Sequence, residues 1–494
     1  MKPLYALLLL QIIWGGVNAQ EINQCTVNIC SKDLRQPIYS TVRKKIQSVY
    51  YGKTSFSYPD ARWQGDGTCK PQPPGGAIVA CETDESNTLV YDTYYPDYAN
   101  YGSCPLPFII FVHGGQFAEC AGIAADGLDI IAQEFAKRGF VYFLVNYRSG
   151  KLEDQTNSLI YTTVEQEEAI YKAAQDIRGA IRSIIKRQMN EGTGDINDTF
   201  RVDLNNMFLG GNSAGAVTIL TAAYYKTDVT THNQSKIDGI FPTASGSVSF
   251  SDAFGYIDQD AYYGEPSIEY FSKIKGILNM WGGMFIPNSA LSNPASYFPE
   301  AKYAPIISFH GIKDPVFKYV SKNIIFSGTG NGSIYYKDSH CMLNSPLIVD
   351  NDNNSIDEVN LGSKGIFDNI LAPKHIFREL YLDCTMGHGL DRPDDMISST
   401  PYCSDFGIGT NKNSNDVLTY IVQRACTFFQ AIIGGNSGTL EASSSIHKVF
   451  IECENFRNKC TTANLVNNDC GDPSDIPCED PRQEDENSCT TTKN

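Results

Sequence analysis

The sequence predicts an α/β fold, a mostly parallel central sheet with helices on both faces. Three observations predict it. Apolar runs such as Phe-Ile-Ile-Phe-Val at 108–112 and Phe-Val-Tyr-Phe-Leu-Val at 140–145 are unbroken, as in strands buried on both faces. Segments with helical spacing of apolar residues separate these runs. The alternation of the two recurs from about residue 106 to residue 433, which calls for crossover helices covering a parallel sheet.

Each element has its own justification. The run at 108–112 ends in His113-Gly114-Gly115-Gln116. Leu128, Ile131 and Phe135 fall at helical spacing and stop at Gly139, a residue suited to ending a helix. Strand 140–145 follows. Ile170, Ala173, Ile177, Ile181 and Ile184 mark one face of a long helix. The run Met207-Phe208-Leu209 then enters Gly210-Gly211-Asn212-Ser213-Ala214-Gly215, and an alanine-rich helix occupies 216–223. Strands at 277–281 and 305–310 continue the series, and a short one at 380–383 precedes Gly387-His388-Gly389. An amphipathic helix over 416–433, stopped by Gly434-Gly435, closes it. No repeat is present.

The segment from Gly211 to Gly215 carries the chemistry. A serine hydroxyl is a weak nucleophile until a turn presents it beside a base. A strand running into Gly-x-Ser-x-Gly and then a helix supplies that turn, so Ser213 is the expected nucleophile. The base follows it in the chain, and five of the seven histidines lie well past Ser213. Only His388 ends a strand with glycines on both sides, which lets an imidazole reach over the sheet edge. His310 reads as a structural turn histidine, and His340, His375 and His447 as solvated or packed. Asp314 sits just beyond the strand at 305–310, where a carboxylate faces the site of an open sheet. The expected triad is Ser213, Asp314 and His388. Amides of Gly114, Gly115 or Gln116, with that of Ala214, are the expected donors to an oxyanion.

With these motifs in this order, the chain resembles the secreted serine carboxylesterases of the α/β-hydrolase superfamily, near the carboxylesterase and hormone-sensitive-lipase-like branch. Further segments carry the likeness: 90–96, Val145-Asn146-Tyr147-Arg148 and 174–182. The resemblance covers about residues 88–433 and implies ester hydrolysis through an acyl-enzyme, with no metal and no organic cofactor. Two departures stand out. Gln116 occupies a position where many relatives have a third glycine. The interval between Asp314 and His388 is long for the family, so 321–372 reads as an insertion.

The remaining organisation follows from composition. Residues 1–19 combine Lys2, an apolar stretch at 4–14 and Val17-Asn18-Ala19, the pattern of a secretory signal peptide. Export is therefore expected, with no stable membrane anchor. The fifteen cysteines then read as disulfides, and their odd number leaves at least one free or paired with another chain. A Cys384–Cys403 bridge is expected beside the His388 loop. No Cys-x-x-Cys pair occurs, and the cysteines and histidines do not cluster as zinc ligands. Sequons stand at Asn197, Asn233, Asn331 and Asn353.

Residues 20–85 form a cysteine-containing arm, 86–435 the catalytic domain and 436–494 a Cys-rich acidic extension. The aromatic segment 246–300 is the expected cap. Asp350-Asn351-Asp352-Asn353-Asn354-Ser355 echoes a calcium loop but lacks its glycine and its glutamate, and reads as solvated loop. A net charge of −17 disfavours nucleic acid and anionic surfaces as partners. The expected partner is an ester, small or borne on a polymer; the oligomeric state is not encoded legibly. The same residues would serve a peptidase or amidase. A binding ectodomain on this scaffold would have lost its nucleophile or base.

Overall fold

The computed structural model describes residues 36–53, 88–97, 105–115, 117, 128–148, 163–191, 201–225, 270–287, 303–311, 314, 317, 321–323, 358–383, 388, 412–434 and 445–448. The signal-peptide pattern, the four sequons, Gln116, His340, Cys384, Cys403, the calcium-like loop and most of both extensions lie outside them.

Nine strands form the main sheet: β1 (Val42–Lys53), β2 (Thr88–Pro96), β3 (Leu106–Val112), β4 (Val141–Val145), β5 (Val202–Asn212), β6 (Ile274–Met280), β8 (Ile306–Gly311), β11 (Arg378–Asp383) and β12 (Ser445–Lys448). Their spatial order is β1-β2-β4-β3-β5-β6-β8-β11-β12. From β4 to β12 every neighbouring pair is parallel, while β1 and β2 are antiparallel. A second sheet of three strands joins β7 (Gly283–Pro287), β10 (Glu358–Gly362) and β9 (Ser321–Asn323). This is the mostly parallel, helix-covered sheet that the alternating pattern predicted and the α/β-hydrolase arrangement that the resemblance implied.

Among the described residues, four long helices accompany the sheet: α1 (Leu128–Lys137), α2 (Thr163–Glu191), α3 (Ala214–Tyr224) and α4 (Lys412–Ile433). The helix ending at Gly139 forms as expected, and Gly139 takes φ +90°, open to glycine at little cost. Every residue of β3, β4 and β8 is buried, which is why β3 and β4 carry no polar alternation. Closure by α4 comes from aromatic packing. Phe429 stacks on Phe208 of β5 at 4.1 Å between centroids and also meets Phe135 and Phe140. Phe429→Ala is expected to cost about 3–5 kcal/mol, because the ring leaves a cavity the rigid sheet cannot fill. Equilibrium denaturant unfolding checks it.

Several expected boundaries shift. The N-terminal arm contributes β1, an edge strand registered against β2 from Val42↔Pro96 to Lys53↔Thr88. The C-terminal extension contributes β12, paired with β11 through Glu379↔Ser445 to Leu382↔Lys448. Each completes an edge of the sheet, where the neighbouring strand offers it backbone partners. Within 246–300, the described residues 274–280 are a central strand and 283–287 belong to the small sheet. Tyr270 is buried and packs under the Arg182 guanidinium. Within the 321–372 insertion, β9 pairs with β10, and Leu361, Ser363, Ile366, Ile370 and Leu371 are buried. Cys426 in α4 is a free, fully buried thiol whose pKa burial pushes up. The other cysteines are then even in number.

Candidate active site

The order of the strands places the site. The chain lays β4 on one side of β3, then crosses through α2 to lay β5 on the other. Loops leaving the C-terminal ends of β3 and β5 therefore part in opposite directions and open a crevice between them. Gly114 and Gly115 follow β3, and Ser213 follows β5.

Ser213 takes φ 52° and ψ −123°, an uncommon conformation for a residue with a side chain. Its N–H donates to Met280 O across the sheet at 2.9 Å, and its own carbonyl accepts from Val217 N–H as α3 begins. The flanking glycines are compulsory. A Cβ at Gly215 would lie 2.1 Å from Val112 O and 2.5 Å from His113 O. A Cβ at Gly211 would lie 2.6 Å from the Gly215 carbonyl. Gly215→Ala is expected to cost more than about 3 kcal/mol, because the contacts are backbone atoms that cannot step aside. Soluble yield and melting temperature report it.

The three expected residues come together. Ser213 Oγ–H donates to His388 Nε2 at 2.7 Å, and His388 Nδ1–H donates to Asp314 Oδ2 at 2.8 Å. Asp314 is fully buried, while Ser213 and His388 keep a sliver of exposure. Burial alone would raise the Asp314 pKa. The charge of His388 and hydrogen bonds from His310 and His388 outweigh it and hold the carboxyl well below the usual carboxylate range. Asp314 Oδ1 accepts the Phe317 N–H at 2.8 Å, which pins the other face of the carboxylate.

The expected oxyanion donors divide. Gly114 N–H donates to the Asn212 side-chain oxygen at 2.9 Å, so this amide is committed to tying the β3 loop to the elbow. Gly114 is corrected from donor to anchor. Its carbonyl accepts from His113 Nδ1–H at 2.7 Å, and the Tyr147 hydroxyl lies 3.5 Å away. The planar Gly114–Gly115 peptide then aims the Gly115 N–H opposite to that carbonyl. Burial lowers the His113 pKa against its hydrogen bonds to Gly114 and Asn146, which keeps the ring neutral. Gly115 takes φ +115°, a turn that needs glycine. Ala214 begins α3, where an N–H has no partner within the helix.

Other residues at the site had weak or no signals in the sequence. Trp281 just past β6 has φ 44° and sets its ring edge-on to His388 at 6.5 Å. Phe317 stacks on the same imidazole at 6.3 Å. Asn212, Ser363 and His310 also join the site, by hydrogen bonds that span the sheet. His310 is no plain turn histidine: it lies within β8 in the core, next to its last residue, and its Nε2 lies 3.1 Å from Asp314 Oδ2. His375 is exposed, as expected, with φ 53°. Among the described residues no group of three or more His, Cys, Asp or Glu side chains could hold a metal. No helix among them is long and apolar enough to cross a membrane.

Fold and site together define an α/β-hydrolase fold in which hydrogen bonds join Ser213, His388 and Asp314. More particularly, residues 91–326 match the family described as BD-FAE, just under half of the chain, spanning Ser213 and Asp314 and ending before His388. No curated protein matches the chain. Among solved structures, it is similar to MGS-M1, an α/β hydrolase from a Medee basin deep-sea metagenome library, at 12% identity over 70% of this chain and 93% of that one, TM-score 0.34. It is similar to a sugar hydrolase, YeeB, from Lactococcus lactis at 14% identity over 72% and 98% of the two chains, TM-score 0.33. Esterase 2 of Thermogutta terrifontis is 17% identical over 47% of this chain and 68% of its own, TM-score 0.27.

Proposed function

We propose that this protein is an exported serine hydrolase of carboxylic esters that works through an acyl-enzyme. The observation that carries the reading is the unbroken chain of hydrogen bonds from Ser213 through His388 to Asp314, mounted on a strained strand-to-helix elbow. In this mechanism His388 Nε2 takes the Ser213 proton as Oγ attacks the ester carbonyl, and buried Asp314 stabilises the imidazolium. The Gly115 and Ala214 amides, with that of Gln116, meet the charge that develops on the carbonyl oxygen. His388 then protonates the departing alcohol, and water repeats the sequence to release the acid. All groups required are side chains and amides of the chain. The signal-peptide pattern and the cysteine count support export.

Hydrolysis of a p-nitrophenyl acyl series, beside the matched anilides, tests this. Ester turnover that exceeds anilide turnover for the same acyl group fits the proposal, and the preferred acyl length sizes the pocket. Preferential anilide cleavage would identify an amidase or peptidase on the same scaffold. Silence toward both from folded protein would favour a binding role and overturn the reading.

A further inference from the structure

Beneath the triad lies a second imidazole on the same carboxylate oxygen. His310 is fully buried at the end of β8, and its Nε2 faces two acceptors, Phe317 O at 2.8 Å and Asp314 Oδ2 at 3.1 Å. A lone pair there would face two oxygens, so Nε2 carries the hydrogen. Its Nδ1 lies 2.6 Å from Ser363 Oγ. That hydroxyl accepts from Asn279 Nδ2 at 3.1 Å and has one proton to give. The alternatives for the proton are His310 Nδ1 at 2.6 Å and Gly282 O at 3.2 Å. The shorter contact takes it, which leaves His310 a neutral ring with its N–H aimed at Asp314. Asn279 is itself held, its Oδ1 accepting the Gly282 N–H at 3.1 Å.

We propose that His310 is a positioning residue for the triad, a fixed N–H donor that shares Asp314 Oδ2 with His388, and that Ser363 of the 321–372 segment sets its tautomer. The proposal rests on the esterase reading for its kinetic consequences and on the ring geometry for itself. Two consequences follow from the shared oxygen. The carboxylate is pinned by Phe317 N–H on one oxygen and two imidazoles on the other, so it cannot rotate away from His388. The His310 N–H also draws on charge that His388 alone would otherwise receive, which limits how strongly the His388 imidazolium is stabilised. Among the described residues, the titratable groups at this cluster are Asp314 after β8 and His388 after β11; Ser363 and the Phe317 carbonyl are neutral. The 321–372 segment thus reaches under the catalytic acid with one hydroxyl.

The experiment compares His310→Phe, His310→Gln and Ser363→Ala with wild type, using circular dichroism to confirm folding and full pH profiles of kcat/KM. His310→Phe is expected to lower kcat about 10- to 100-fold with KM little changed, as misplacement of a catalytic group does. Its acid limb is expected to move to higher pH, because Asp314 then bears on His388 alone. His310→Gln, whose amide N–H reaches toward the same oxygen, is expected to recover part of the loss. Ser363→Ala is expected to shift the limb in the same direction by less. Ring ¹⁵N spectra of the resting wild type are expected to show His310 protonated at Nε2 and bare at Nδ1. A folded His310→Phe with the wild-type kcat and acid limb would overturn the proposal, as would a spectrum with the hydrogen on Nδ1. If His310→Phe does not fold, Ser363→Ala and the spectrum decide. If wild type turns over no ester, the esterase reading fails, and the spectrum still decides the placement of His310.

Discussion

Ser213→Ala is expected to lower kcat about a million-fold while leaving substrate binding nearly intact. The reason is geometric. In the proposed mechanism Oγ is the atom that attacks, and His388 Nε2, 2.7 Å from it, has no other proton to take from the elbow. Alanine fits the site without strain beyond that already present at φ 52°, so the variant is expected to fold with the wild-type melting temperature. Residual hydrolysis of about 10³- to 10⁴-fold over water would then measure what the amide donors and substrate binding contribute without a nucleophile. Steady-state kinetics on the best p-nitrophenyl ester, with protein repurified against wild-type carry-over, checks it. A variant that keeps more than about a hundredth of the activity would remove Ser213 from the mechanism.

Asp314→Asn is expected to cost about 10⁴ in kcat, more than its near-identical shape would suggest. The carboxylate accepts from Phe317 N–H on Oδ1 and from His388 and His310 on Oδ2. An amide has one oxygen to offer. If it stays with the Phe317 N–H, the NH₂ faces two imidazole N–H groups, and His388 turns its hydrogen to Nε2. Nothing then remains to take the proton of Ser213. A pH dependence follows from the same carboxylate. Its folded pKa lies below the usual carboxylate value, so its ionisation stabilises the fold at every pH above the unfolded value of about 3.9. That stabilisation is lost only as pH falls through the folded value. Across the range where an imidazole titrates, Asp314 therefore stays ionised, and the acid limb of kcat/KM is expected to show a single ionisation. A limb of slope two would mean that Asp314 titrates with His388.

Much of the site was legible because its chemistry demands residues that leave few alternatives. Gly211 and Gly215 are forced by contacts to backbone atoms, and Ser213 between them can be read without coordinates. Asp314 and His388 could be found because each follows a buried strand, and the end of such a strand is where an open sheet places functional side chains. Gly114 shows the limit. Its glycine context was correct for the β3 loop, but a hydrogen bond to Asn212, ninety-eight residues on, decides what its amide does. His310 looked structural because no local pattern distinguishes a packed histidine from one bonded to a catalytic carboxylate.

By itself, the sequence determined the α/β layering, the elbow and the triad, since each depends on local periodicity or on short-range steric demands. Tertiary structure alone decided the edges and the supports. β1 and β12 take their places at the sheet edges through ladder bonds to β2 and β11. Ser363 lies more than fifty residues from His310 in the chain and 2.6 Å from it in space. Hydrogen bonds of that kind carry no period and no composition, so they become visible only when the sheet brings distant strand ends to one side.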